Sequence, residues 1–177
     1  KINEVGIPIS HARNLEIPET VSDKNMSRLL IYYNNKTERY PGCKRIIKKS
    51  NMRTYRTEKL ADYQLQIGDV VFRDMIDGDY INFNRQPTLI FSSIAGLRVV
   101  IMHIGDTLRI NPSVCKMFNA DFDGDNMNCM VPSGIQARNE CMTLSNVSRW
   151  VISPQNQAPM IGAFQDAAIG LSELTKD

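Results

Sequence analysis

The sequence predicts an α+β chain, with a β-rich body over residues 1–131 and a helical tail over 132–177. Three observations carry this. Short β-branched or alternating runs recur at close spacing from residue 44 to residue 131. One stretch before them keeps a helical period, and after Pro132 the period changes again. Many short strands set this closely favour a closed or sandwiched β structure over an open parallel sheet.

Residues 1–18 are expected to be irregular, because Pro8 and Pro18 break any helix. Ser22 or Asp23 is placed to cap a helix running to about Asn34, since Met26, Leu29, Leu30 and Tyr33 fall on one helical face. Pro41-Gly42 marks a turn. Lys44–Lys48 and Met52–Arg56 read as short strands. Val70–Met75 and Tyr80–Asn84 flank Asp77-Gly78-Asp79, a hairpin signal. Arg98–His103, Thr107–Ile110 and Met127–Val131 have strand character, and Val114–Phe118 is apolar and strand-like. In the tail, Ser133 with Gln136 is a capping-box pair that opens a helix to about Leu144. Ser153-Pro154 breaks the chain again, and residues 160–173 form a second candidate helix, weakened by Gly162 and Gly170.

Composition excludes several classes. With 42% hydrophobic and 23% charged residues, the 177-residue chain has the balance of a soluble domain with a core. No apolar run approaches the roughly 20 residues that cross a bilayer, and no leader pattern precedes the body. Opening on Lys1, the chain reads as a piece of something longer. Cys43, Cys115, Cys129 and Cys141 lack C-x-x-C spacing, so reduced intracellular thiols are expected rather than a sulfur-bound metal or a disulfide framework. The net charge of +2 hides an asymmetry: between Lys36 and Lys59 nine Lys/Arg face only Glu38 and Glu58, so the block is +7 and the remainder −5. Such a block either binds phosphates or forms the solvated face of a β-hairpin.

The most informative string is Asn119-Ala120-Asp121-Phe122-Asp123-Gly124-Asp125. Three carboxylates alternate over five positions, and Gly124 lets the backbone turn so that they converge instead of alternating across a strand. Hard oxygen donors without a neighbouring His or Cys select Mg²⁺, Mn²⁺ or Ca²⁺ over zinc. An EF-hand is excluded, because its sixth and twelfth positions are Asn126 and Pro132 here. Taken alone, the pattern leaves a metal site and a metal-free acidic turn both open. Upstream, Asn84-Arg85-Gln86-Pro87-Thr88-Leu89 ends a predicted strand. Arg85 offers a planar fork for phosphate or ribose oxygens, or for a structural carboxylate partner.

These two strings together resemble the signatures of the largest (β′-type) subunit of multisubunit DNA-directed RNA polymerases. Ile17-Pro18-Glu19, Tyr40-Pro41-Gly42, Gln64-Leu65-Gln66, Leu108-Arg109-Ile110-Asn111, Ser153-Pro154-Gln155-Asn156, and Gly162 with Gln165-Asp166 resemble further family elements in family order, so the likeness covers essentially the whole chain. The resemblance implies a double-psi β-barrel, incomplete here, for residues 1–131 with an inserted helix, and the start of the pore (funnel-side) region for 132–177. It implies that Asp121, Asp123 and Asp125 hold the catalytic magnesium, for which manganese can substitute. Asn119 and Arg85 would contact the ribose hydroxyls of the incoming nucleotide. The implied partners are the second-largest subunit and other polymerase subunits, DNA template, RNA product and NTPs, with no membrane. Ile90, Asn126 and Met130 depart from the usual family residues without removing a metal ligand, which points to the polymerase of a large DNA virus, working inside the cell in cytoplasmic factories and in the virion; a polymerase that is not viral would work in the nucleus. Two other readings are an RNA-dependent RNA polymerase of the silencing type, against which the Asn84–Leu89 element speaks, and a non-catalytic nucleic-acid-binding module built on the basic block.

Overall fold

The structure, a computed structural model, describes residues 1–60, 63–163 and 166–176. In chain order its elements are β1 (Glu4–Pro8), α1 (Ile9–Ala12), β2 (Glu16–Thr20), α2 (Met26–Asn35), β3 (Cys43–Ile47), β4 (Thr54–Arg56), β5 (Val70–Asp74), β6 (Tyr80–Asn84), β7 (Ile94–Met102), β8 (Arg109–Ile110), α3 (Cys115–Phe118), β9 (Asn128–Met130), α4 (Ile135–Thr143) and α5 (Asp166–Leu174). The strands make a five-stranded sheet, β8-β1-β7-β6-β9, and a four-stranded sheet, β2-β5-β3-β4. The chain is therefore α+β and β-rich as expected, with both sheets open among the described residues. Contacts divide it into two units, one of Lys1–Gly6, Tyr80–Val100 and Thr107–Asp177, the other of Ile7–Asp79 and Ile101–Asp106.

The second unit is organised by the four-stranded sheet. Leu29 and Tyr33, one helical turn apart on α2, are buried with Val21, Cys43, Ile46, Leu65 and Val71, whereas Leu30 points outward at 37% exposure. The helix starts at Met26 because the polar residues before it make a turn of their own. Ser22 N–H donates to Asn25 Oδ1 at 2.7 Å, and Asn25 Nδ2 donates to the Thr20 carbonyl at 2.9 Å. β3 and β4 form an antiparallel hairpin that places Arg45 opposite Arg56. Its cations lie along the protein surface: Arg45 stacks 4.1 Å from the Phe72 ring and donates to Glu16, and Lys48 lies 3.8 Å from the Tyr63 ring. Deeper, Arg73 is 5% exposed and bridges Glu19 and Asp79, each at 2.8 Å.

Five expectations need correction. Neither Ser22 nor Asp23 caps α2, whose N-cap is Asn25 without a side-chain bond. Residues 1–18 are not irregular, for they hold β1 and β2. Pro8 ends β1, and Pro18 lies in β2, an edge strand where a missing N–H is tolerated. Asp77-Gly78-Asp79 turns the chain but closes no hairpin, since β5 pairs with β2 and β3 while β6 pairs with β7 and β9. The two aspartates hold other strands instead: Asp77 Oδ1 accepts from Ile101 N–H and Asp79 Oδ2 from Ile76 N–H and Arg73. Residues 114–118 are helical, with Cys115, Met117 and Phe118 buried. Asn111-Pro112 announces this, because Asn111 Oδ1 caps Ser113 N–H at 2.9 Å ahead of a proline suited to a first turn. Finally, α4 starts after Gly134 without a side-chain cap, so the Ser133/Gln136 box does not form. Tertiary packing fixes α4 instead: a Cβ on Gly96 of β7 would lie 2.2 Å from the Cys141 carbonyl oxygen. Of the tail helix expected over 160–173, residues 164–165 lie outside the described residues, and the helix found is α5.

All four cysteines are free thiols, three of them buried. Burial pushes Cys43 up to about 12 and Cys129 and Cys141 up to about 11. Among the described residues no helix is long and apolar enough to cross a membrane.

Candidate metal centre

The acidic loop runs between two anchors in the first unit. On its N-terminal side α3 is pinned by Phe118, whose ring meets Phe83 of β6 edge-on with centroids 5.5 Å apart. Asn119 then takes a left-handed conformation, φ 48° and ψ 46°, which Asn tolerates better than most residues and which ends the helix. Ala120 is buried and its N–H donates to the Cys115 carbonyl at 2.9 Å. On the C-terminal side β9 pairs antiparallel with β6, Asn128 opposite Asn84. Both ends of the loop are thus tied to β6, and the residue following β6 is Arg85.

Between these anchors the three carboxylates converge. Asp121, Asp123 and Asp125 each offer an oxygen within 4.8 Å of the others. Gly124, at φ +121°, supplies the turn, and a Cβ there would meet nothing within 4 Å, so the glycine answers a backbone requirement and not a steric one. Arg85 holds one end of the cluster through a two-pronged pair, Nε to Asp125 Oδ2 at 2.6 Å and Nη2 to Oδ1 at 2.9 Å. Asp121 N–H also donates to Asp125 Oδ2, at 3.1 Å. The structure therefore joins four of the five expected site residues. The fifth, Asn119, lies two positions before Asp121 with its side chain exposed and free of hydrogen bonds among the described residues.

Charge is uneven across the site. The hydrogen bond from Arg85 holds the Asp125 carboxyl below its ordinary value. Asp121 is raised, first by a hydrogen bond shared with the Asp123 carboxyl, then by desolvation and by the charges of Asp123 and Asp125. One guanidinium against three carboxylates leaves two negative charges unmatched. This excess fits a divalent cation. Two opposite ligands of Mg²⁺ span about 4.2 Å, so a spread of at most 4.8 Å needs only small side-chain rotations. Asp125 Oδ1 keeps a lone pair beyond the one Arg85 uses, whereas Oδ2 accepts from both Arg85 Nε and Asp121 N–H.

Sequence reasoning missed how Arg85 is positioned. Asn84 is 5% exposed and its Nδ2 donates to Thr88 Oγ1 at 2.8 Å and to the Ser93 carbonyl at 2.9 Å, folding the 85–88 segment back on the strand end. Asn84 shares the Tyr80 and Asn82 face of β6, opposite the buried Ile81 and Phe83, so the strand period gave no signal for its burial.

A family model described as RNA polymerase Rpb1, domain 2 matches residues 1–147. The chain belongs to this family. Two relatives, each described as a DNA-directed RNA polymerase RPB1 homolog, come from a Pretoriuskop tick isolate and a Namibian warthog isolate of African swine fever virus, and each is 41% identical over 178 residues. The match takes in 99% of this chain and 12% of each relative. The kinship read from the motifs, with the largest polymerase subunit and with a large DNA virus, is borne out.

Proposed function

We propose that this member of the Rpb1 family carries the catalytic magnesium of a DNA-directed RNA polymerase and takes part in DNA-templated RNA synthesis from NTPs. The observation that carries this reading is the convergence of Asp121, Asp123 and Asp125 beside Arg85, in a chain alike over 99% of its length to RNA polymerase homologs. On this proposal the five-stranded sheet is part of a double-psi β-barrel, and residues 132–177 begin the pore region. Its working partners are the second-largest subunit, other polymerase subunits, template DNA, the RNA end and the nucleotide, inside a viral factory or virion.

The three aspartates would hold Mg²⁺, or Mn²⁺ in its place. When bound, such a cation lowers the pKa of a coordinated hydroxyl and offsets charge on a transferring phosphoryl group. The chain's own residues do the positioning. Asp125, locked by Arg85, gives the site one ligand that does not wander. Asp121 and Asp123 repel one another until a cation lies between them, so the loop is arranged for charge and not for neutral ligands. Nε and Nη2 of Arg85 face Asp125, which leaves Nη1 to donate to a sugar hydroxyl, and Asn119 can donate or accept at the same sugar. A polar contact to the 2′-hydroxyl would reject a deoxynucleotide by leaving that contact unmade.

Calorimetric titration of Mn²⁺ into the chain tests the reading. Measurable binding is expected, and it should disappear in Asp123→Ala and Asp123→Asn. Equal affinity in wild type and both variants would end the metal assignment. The isolated chain is expected to make no phosphodiester bonds, whereas the same substitutions in the assembled polymerase should abolish RNA synthesis.

A further inference from the structure

We propose that Thr88 is a positioning residue: its hydroxyl, held by Asn84, fixes where Arg85 stands and so how sharply the site tells a ribose from a deoxyribose. Its effect on the sugar rests on the role proposed above for Arg85, whereas its effect on Arg85 does not.

Both members of the Arg85–Asp125 pair hang from one point of the five-stranded sheet. Asn84 pairs with Ile94 of β7 on one side and with Asn128 of β9 on the other. Arg85 follows Asn84 directly, and Asp125 lies three residues before Asn128. β6 ends at Asn84, so Arg85, Gln86, Pro87 and Thr88 lie beyond the ladder that fixes it.

The Asn84 side chain holds them instead. Its amide has two N–H groups. One donates to the Ser93 carbonyl at 2.9 Å, beside the start of β7, and the other to Thr88 Oγ1 at 2.8 Å. The first bond closes the 85–93 loop at its base. The second closes a smaller ring that contains Arg85. The two bonds are separable, because Ser93 is buried and Thr88 is exposed. A side chain at an exposed position contributes little to folding, so the Thr88 bond matters chiefly for where the chain lies.

Loss of the hydroxyl has a directed consequence. The next acceptor for the freed N–H is the Arg85 carbonyl, already 3.4 Å away. Drawing that carbonyl in turns the Arg85 backbone. A guanidinium that meets a carboxylate through two parallel bonds tolerates little turning. Arg85 is held in this way, with Nε and Nη2 at 2.6 and 2.9 Å from Asp125. The fork opens, and Nη1, the donor left for a sugar hydroxyl, moves with it.

Thr88→Val removes the hydroxyl at nearly constant shape, and Thr88→Ser keeps it. In the full chain carrying nitrogen-15 arginine, the Nε–H resonance of Arg85 is identified by its absence from Arg85→Met. Its exchange with water should be slow in wild type and in Thr88→Ser, and about threefold faster or more in Thr88→Val. The other arginine Nε–H signals should stay unchanged. An Arg85 signal that Thr88→Val leaves untouched would overturn the proposal. So would a change spread over all arginines, which marks a general loosening, or an equal change in Thr88→Ser. In the assembled polymerase, kcat/KM for an NTP relative to its deoxy counterpart should fall about threefold or more in Thr88→Val and recover in Thr88→Ser. Added to Arg85→Met, Thr88→Val should lower that ratio no further, and a full additional loss would show that Thr88 acts elsewhere. If Arg85→Met alone leaves the ratio unchanged, the sugar role of Arg85 fails, and the Nε–H comparison still decides whether Thr88 positions it.

Discussion

The arginine–carboxylate clusters around Arg73 and Arg85 are built in opposite ways. Arg73 is 5% exposed, and its partners Glu19 and Asp79 are 15% and 11% exposed. Its guanidinium uses Nε on Glu19, both terminal nitrogens on Asp79, and Nη1 again on the Asp74 carbonyl. Arg28 adds a second cation at Glu19, so the charges balance. Arg85 spans one carboxylate only, the pair being 21% and 20% exposed, and leaves the exposed Asp121 and Asp123 without a cation. A balanced, dry cluster stabilises the fold and has no capacity for a ligand. An unbalanced, wet one contributes little to folding and keeps its capacity for a cation.

Removing each arginine in turn puts the contrast to the strongest test. Arg73→Met leaves the mostly buried Asp79 without its cation and Glu19 with Arg28 alone, and should cost about 3–5 kcal/mol in urea unfolding. Arg85→Met should leave the urea midpoint where it was. A large loss at Arg85, or none at Arg73, would show that the two clusters do the same work.

A pair of glycines gives the next largest effect. Gly96→Ala forces a methyl to within 2.2 Å of the Cys141 carbonyl oxygen, and overpacking of this kind should cost about 1–3 kcal/mol. Gly124→Ala meets no atom, but an alanine resists φ +121°. Its thermal midpoint should barely move while its Mn²⁺ affinity falls, because only the acidic loop must deform.

The acidic site was more legible in the sequence than the fold around it. Three alternating aspartates with a glycine are a local pattern, and the geometry that gathers them, a turn over five residues, is local too. The α+β class and the position of α2 were readable for the same reason. Strand pairing was not. Asp77-Gly78-Asp79 has hairpin chemistry, yet its flanking strands join different sheets, because their partners are set by residues tens of positions away. The Ser133/Gln136 box failed likewise: α4 is fixed by close packing on Gly96, a contact no local window contains. Arg85 shows the limit within the site itself, since its residue type suited sugar, phosphate and carboxylate alike, and only the fold brings Asp125 to it.

Cation binding sharpens the comparison at the exposed cluster. Arg85 competes with an incoming cation for the Asp125 oxygens and adds a positive charge nearby. Arg85→Met should therefore raise Mn²⁺ affinity of the isolated chain roughly threefold or more. On the proposed function, the same variant in the assembled polymerase should raise KM for NTPs. Weaker Mn²⁺ binding in the isolated variant would mean that Arg85 organises Asp125 for the metal more than it competes with it.

The smallest effect expected is the dependence of folding on pH, and it separates two acids within the buried cluster's own unit. At Glu19 burial acts to raise the carboxyl, but the hydrogen bond and charge of Arg73 prevail and hold it below its ordinary 4.5. Its contribution to stability is therefore complete above pH 4.5 and lost as pH falls through the lower folded value. Asp74 behaves in the opposite sense. Burial raises it above its ordinary 3.8, although Gly42 N–H donates to Oδ2 at 3.0 Å, and Oδ1 is buried without a partner. The folded chain then holds a proton that the unfolded chain has released, so Asp74 adds stability as pH falls toward 3.8. As pH falls past 4.5 toward 3.8, the two acids oppose each other. Glu19→Gln should flatten the acid loss of stability, and Asp74→Asn should steepen it, in urea unfolding followed at each pH. If both variants shift the curve in the same direction, Asp74 is ionised in the fold more readily than out of it, and its orphaned oxygen has found a partner.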